Sequence, residues 1–140
     1  MHTIKEEKVL NASQTAVWEA ISDHCGMHRW LVPGMKVRLD PEGHPSPNGE
    51  GAVRVIERFG YSGRERVVEF QPPRRMTYTL ESGFPIDDHL GEIVLEPCDE
   101  GTRLTWRVRF APRYWGTGWL ISGVVRHVLR GGLRRLPRLL

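Results

Sequence analysis

The sequence predicts an α+β protein in which a curved antiparallel sheet is wrapped around one long C-terminal helix. Six strand-like segments follow one another between Met35 and Phe110, and a single helical pattern from Thr117 to Leu136 closes the chain. A first strand and two short helices precede them, which makes about seven strands. One helix laid across the concave face cannot fill it, so we expect a cavity that binds a small molecule.

Length and charge narrow the class of protein. A chain of 140 residues with 39% hydrophobic and 26% charged residues is typical of one globular domain, residues 1–140. No apolar run is long enough to span a membrane, and the first residues lack a signal-peptide core. Two distant cysteines, Cys25 and Cys98, indicate a reducing compartment, so we expect a cytoplasmic protein. The sequence leaves open whether it is a monomer or a homodimer. The net charge of +3 argues against a nucleic-acid partner, and no cofactor motif is present.

The first elements follow from local signals. Thr3–Leu10 reads as a strand, and Ser13 is the type of residue that caps a helix. Apolar residues at helical spacing then predict a helix to about Asp23, followed by a short helical turn, Asp23–Trp30. The remaining strands are bounded by glycine, proline and aspartate turns. They are Met35–Leu39, Gly51–Phe59, Arg64–Phe70, Met76–Glu81, His89–Glu96 and Thr102–Phe110.

Alternation along the last strand shows which side chains face the cavity. Trp106 and Phe110 share an apolar face, whereas the residues between them are mostly arginines. The same parity turns Tyr78 and the strand-start His89 inward. The middle hairpin is ambiguous. Hydrophobicity places Val53, Val55, Phe59, Val68 and Phe70 inside and Arg54, Ile56, Arg58, Glu65, Val67 and Glu69 outside, but a β-bulge would exchange the two faces.

The closing helix is amphipathic. Its apolar stripe predicts the face that docks on the sheet, with Val124 and Val128 as candidate cavity residues. Arginines recur at four-residue spacing on the opposite side, at Arg126, Arg130 and Arg134. Gly131 and Gly132 are expected to weaken the helix. The stripe is Ile121, Val124, Val125, Val128 and Leu129.

At this point the chain resembles the START-like, or SRPBCC, superfamily, most closely its polyketide cyclase/dehydrase-like branch. The resemblance rests on short motifs whose order and spacing match over nearly the whole chain. It implies a helix-grip fold with a cavity for an apolar ligand. The motifs are Ala12-Ser13 before Val17-Trp18, Trp30 with Pro33, Gly49–Arg54, Arg64–Val67, Pro73–Tyr78 and Gly101–Trp106.

The resemblance also implies two charged site residues. Glu65 matches an acidic group in the pocket of related receptors, and Arg54 matches a frequent arginine of the family. Pointing inward, they would orient a polar group of a ligand or pair with each other. Pointing outward, they form an ordinary exposed cross-strand pair. The sequence leaves both interpretations open.

Four further groups of residues allow more than one interpretation. His89 and Tyr78 are the candidate catalytic residues of a cyclase or dehydratase, or else a strand-end histidine and a packing tyrosine. His24 and His28 have a spacing known from metal sites, but no third ligand accompanies them, so we expect no metal. Trp30 and Trp119 are candidates for the cavity or its mouth. The segment Arg113–Leu120 is a candidate lid, dimer contact or lipid-surface patch, although an ordinary solvated helix face is the plainer interpretation.

We therefore expect the protein to bind a small, mainly apolar molecule between sheet and helix. The alternatives are a cofactor-independent cyclase or dehydratase, and an interaction or membrane-surface protein that uses the arginine-rich helix. The expected ligand-binding residues are Trp30, Arg54, Glu65, Tyr78, His89, Trp106, Phe110, Trp119, Val124 and Val128.

Overall fold

The computed structural model describes residues 1–140, and its seven strands form one antiparallel sheet in the order β1-β7-β6-β5-β4-β3-β2. The predicted α+β architecture is confirmed. None of the helices is long and apolar enough to cross a membrane. The elements are β1 (His2–Leu10), α1 (Gln14–Ser22), a 3-10 helix (His24–Arg29), β2 (Lys36–Leu39), β3 (Val53–Arg58), β4 (Tyr61–Gln71), β5 (Arg75–Ser82), β6 (Ile86–Cys98), β7 (Gly101–Pro112), α2 (Gly118–Arg135) and a final 3-10 turn (Leu136–Leu139).

The helix after β1 starts where the sequence predicts. The Ser13 side chain accepts a hydrogen bond from the backbone N–H of Ala16 over 3.1 Å and so caps α1. The helix then buries Val17, Trp18 and Ile21 against the sheet. The second helical segment is a 3-10 helix, in which residues four apart do not share a face. It brings His24 and Met27 into the interior.

A β-bulge in β4 decides the orientation of the middle hairpin. Val67 pairs with Tyr78 and Phe70 pairs with Met76, so three positions on β4 span only two on β5. The extra residue lets both Val67 and Phe70 face the core, and it leaves Val68 exposed. The placement suggested by hydrophobicity is therefore wrong for Val67 and Val68. It is also wrong for Phe59, which is exposed at the tip of the hairpin, and for Arg54, Ile56 and Glu65, which are buried or partly buried.

The long helix α2 lies across the sheet and docks through Ile121, Leu129 and Leu133, all of which are buried. The expected weakening at its two glycines does not break it. A side chain at Gly132 would lie within 2.7 Å of Leu31 Cδ1, so the glycine lets the helix approach Leu31 closely. On the inner face of β1, Glu6 joins the helix to the sheet through ion pairs with Arg126 and Arg130.

Gly91 makes room for the most central aromatic ring of the sheet. Gly91 lies opposite Tyr78 on the neighbouring strand, and a Cβ at this position would overlap the tyrosine ring. The ring therefore lies across the glycine, and its direction toward the interior depends on the missing side chain. Gly91 does not have a positive φ, so the constraint here is space alone.

We expect Gly91→Ala to lower the free energy of unfolding by about 1 to 3 kcal/mol, because an overpacked core must shift backbone or rotate Tyr78 off its rotamer. Urea denaturation measures the change. Gly123→Ala is the matched control: it is exposed in α2 with open space around its Cβ, and should raise stability by up to about 1 kcal/mol. An unchanged Gly91→Ala midpoint would contradict the packing described.

Candidate functional site

A cavity of about 200 Å³ lies between the sheet and α2. Its wall is mainly apolar, and four side chains with charged or strongly polar groups interrupt it: Arg54, Glu65, Tyr78 and His89. The rest of the lining comes from α2, from the strands and from the segments that flank them. Those residues are Met27, Leu31, Tyr61, Leu80, Phe84, Ile86, Trp106, Val108, Val124, Val125, Val128 and Leu129.

Arg54 and Glu65 form an ion pair inside the protein, which settles the alternative that the sequence left open. They face each other directly on β3 and β4, and Arg54 Nη2 donates to Glu65 Oε1 over 2.7 Å. The Arg54 side chain is 3% exposed and the Glu65 side chain 17% exposed. In such surroundings each charge would be costly without the other.

His24 completes the polar cluster and was not among the predicted site residues. Its Nε2 lies 2.8 Å from the carbonyl oxygen of Asn48, and its Nδ1 lies 3.4 Å from Arg54 Nη1. Nε2 must therefore carry the hydrogen, while Nδ1 accepts from the guanidinium. Burial, helped by the positive charge of Arg54, lowers the pKa of His24 to about 3, so it is neutral near pH 7.

Tyr78 lies at the centre of the polar wall. Its hydroxyl oxygen accepts a hydrogen bond from the Trp106 indole N–H over 2.8 Å, and the Arg54 guanidinium lies 4.5 Å from the centre of its ring. Burial raises the pKa of Tyr78, so the hydroxyl keeps its proton. That hydrogen has no acceptor within the protein.

His89 approaches Tyr78 from the neighbouring strand, with 5.6 Å between ring centres. Its Nδ1 accepts the backbone N–H of Leu80 over 2.9 Å. Burial lowers the pKa of His89, so the ring is neutral with its hydrogen on Nε2. In this arrangement Nδ1 is occupied, and Nε2–H is a hydrogen-bond donor without an acceptor in the protein. Glu65 is the only acidic residue in the cavity lining.

Seven of the ten predicted ligand-binding residues line this cavity, and their role in binding stays a prediction. The other three are placed differently. Trp30 is buried against Trp106, and Phe110 is buried against the ring of His2, so both are core residues. Trp119 is 74% exposed on the outer side of α2. The helical period predicts this, because Trp119 lies roughly 200° around the helix from the docked Ile121.

Other lining residues were missed, although some left a signal. Leu80 and Val108 share the inward parity of Tyr78 and Trp106 and could have been included on that ground. Phe84 and Ile86 come from the β5–β6 connection and strand start, where the alternation gives no guide. His28, the partner of His24 in the metal pattern, is exposed and contacts the Cys25 carbonyl oxygen instead.

The comparisons with known proteins agree with this architecture. A family model described as polyketide cyclase/dehydrase and lipid transport matches residues 1–140. The chain belongs to this family. Membership of the polyketide cyclase/dehydrase and lipid transport family, together with the fold, supports a ligand-binding or cyclase-like role. No protein with a curated description matches the sequence.

Solved structures share the fold of this family member along nearly their whole length. XoxI from Bacillus cereus is 21% identical with a TM-score of 0.82, covering 99% of this chain and 94% of its own. A protein from Thermobifida fusca is 25% identical with a TM-score of 0.79, covering 99% and 95%. CV1439 from Chromobacterium violaceum is 22% identical with a TM-score of 0.73, covering 98% and 95%.

The buried His24 should make stability fall in acid. Its folded-state pKa of about 3 lies below the ordinary 6.5, so between these values the unfolded chain binds the extra proton. Unfolding free energy is then lost as pH falls below about 6.5, by up to about 1.4 kcal/mol per pH unit. His24→Gln should flatten this slope, measured by urea denaturation between pH 7 and pH 5.

His28→Gln is the control, because His28 is exposed on the same 3-10 helix. This variant should show the same dependence of unfolding free energy on pH as the wild type. His89, whose pKa is also lowered by burial, contributes to that dependence in both proteins. Equal slopes for His24→Gln and wild type would show that His24 is not held neutral.

Proposed function

We propose that the protein binds a small, mainly apolar molecule in the cavity between the sheet and α2. The observation that carries the proposal is the cavity itself, walled by apolar side chains with a few polar groups gathered on the sheet side. Most small-molecule sites have this composition, in which apolar area supplies affinity and a few polar groups supply orientation. The volume of about 200 Å³ suits a compact ligand, since a cavity of about 150 Å³ binds benzene.

Cyclase or dehydratase chemistry is the second proposal, favoured by one observation. Tyr78 and His89 offer hydrogen-bond donors that can polarise a carbonyl, and Glu65 lies in the same cavity. Two contacts weigh against it: the Glu65 carboxylate is bound by Arg54, and His89 Nδ1 is bound by the Leu80 N–H. His89 Nδ1 would need to be released before it could take a proton, and protonation of Glu65 would weaken its ion pair with Arg54, so we place binding first.

Contact with a lipid surface is a further proposal, supported by the exposed aromatic patch Tyr114, Trp115, Trp119 and Leu120. Trp115 is fully exposed, and aromatic rings of this kind are common at membrane interfaces. Leu120 is one helical turn from Val124, which lines the cavity. No acidic residue follows Glu100, so the charged side chains in the rest of the chain are all basic and favour contact with anionic headgroups. Ion pairs with Glu6 partly neutralise this positive charge at Arg126 and Arg130.

A compact hydrocarbon such as ethylbenzene should raise the melting temperature, because it binds the folded state only. Val128→Trp should abolish this shift by filling the cavity from α2. Differential scanning fluorimetry measures both, and circular dichroism checks the fold of the variant. The matched control is Val68→Trp on the exposed side of β4, which should keep the full shift. A ligand-dependent shift that survives in Val128→Trp would place binding elsewhere.

Vesicles containing phosphatidylglycerol should retain the protein at low salt and release it as salt rises, whereas pure phosphatidylcholine vesicles should retain little. Cosedimentation is the measurement. Trp115→Ser with Trp119→Ser should reduce retention severalfold, because both rings are exposed and free to insert. Val68→Ser, at an exposed apolar position on β4, should have no effect. Equal retention of both variants would show that the aromatic patch does not contact the vesicle surface.

A further inference from the structure

The charges in the cavity wall cancel each other. Arg54 is the only cation among the lining residues. Its two terminal nitrogens contact Glu65, His24 and the Met27 sulfur, and its Nε–H, which has no partner, is buried. His24 and His89 are neutral in the folded protein. No free positive charge is therefore left to meet an anionic ligand.

Glu65 makes the same wall unfavourable for a second carboxylate. Only Glu65 Oε1 is held by Arg54, and Oε2 has no hydrogen-bond partner in the protein. A ligand carboxylate at the polar wall would approach this oxygen in surroundings that screen charge poorly. Like charges that are close together in such a place cannot both stay ionised without a large cost.

The unused hydrogen-bonding groups complement a neutral polar group. The Tyr78 hydroxyl hydrogen and His89 Nε2–H are donors without a protein acceptor, and Glu65 Oε2 is an acceptor without a donor. A hydroxyl, a ketone or an amide satisfies one or more of these groups. Leaving buried polar groups unpaired reduces affinity, so a pure hydrocarbon should bind less well than a ligand with such a head.

We propose that the cavity selects neutral, mainly apolar molecules that carry a carbonyl, hydroxyl or amide group and excludes carboxylic acids in their ionised form, with Glu65 as the residue that sets this preference. The proposal rests on the proposed binding function and names the class of ligand. It predicts that a short-chain carboxylate such as octanoate is a poor ligand at neutral pH, although its chain is apolar.

Octanamide and octanoate test the proposal, because they have the same size and differ in charge. At neutral pH, isothermal titration should show octanamide binding the wild type at least tenfold more tightly than octanoate. Glu65→Gln keeps the size of the side chain but leaves the charge of Arg54 without its counter-ion, so the ratio should move toward octanoate by at least tenfold. Octanoate binding the wild type as tightly as octanamide would overturn the proposal.

Two controls keep the outcome clear. Glu81→Gln makes the same change in an ion pair with Arg66 on the surface, and should leave the ratio as in the wild type. Ethylbenzene reports on the apolar cavity without a polar head. Binding of ethylbenzene with no preference between the two octyl probes would refute the ligand class and leave the binding function intact. Failure of all three probes would refute both. The wild-type comparison needs no variant, so a Glu65→Gln protein that fails to fold does not prevent the test.

Discussion

The ion pair between Arg54 and Glu65 is the interaction on which the interior of this protein depends. Placing a guanidinium in an apolar core is costly, and a carboxylate 2.7 Å away offsets most of that cost. The pair then orders its neighbours: His24 is held as a neutral acceptor, and the Tyr78 ring is held beneath the guanidinium. Removing one charge would leave the other buried and unpaired, so the pair adds a side-chain link between β3 and β4, whose backbones already pair.

Much of the fold could be predicted because its signals are local. Ser13 marks the start of α1 because its side chain caps the helix. The alternation of Trp106 with arginines identifies the two faces of β7, since one face is exposed to solvent and the other is buried. The bulge in β4 has no such signal. Val68 becomes exposed because β4 holds an extra residue against β5, and that follows from the pairing of two strands, not from the residue types.

The candidate site was predictable to a lesser degree. Arg54 and Glu65 entered through a resemblance to known families, whereas hydrophobicity alone placed them outside. His24 was read as a possible metal ligand, and its role as a neutral acceptor depends on Asn48 and Arg54, which lie far from it along the chain. Trp119 was misplaced because its size and chemistry suggested a pocket, although the helical period turns it outward. Burial of polar groups is a property of three-dimensional packing, and no spacing rule in the sequence reports it.

Val124 belongs both to the cavity wall and to the surface, since its side chain lines the cavity and is 47% exposed. The interior thus communicates with water beside α2 without any helix having to detach. A ligand of the proposed class would meet the exposed Val124 side chain on entering from this side, and exposed side chains change rotamer within picoseconds to nanoseconds.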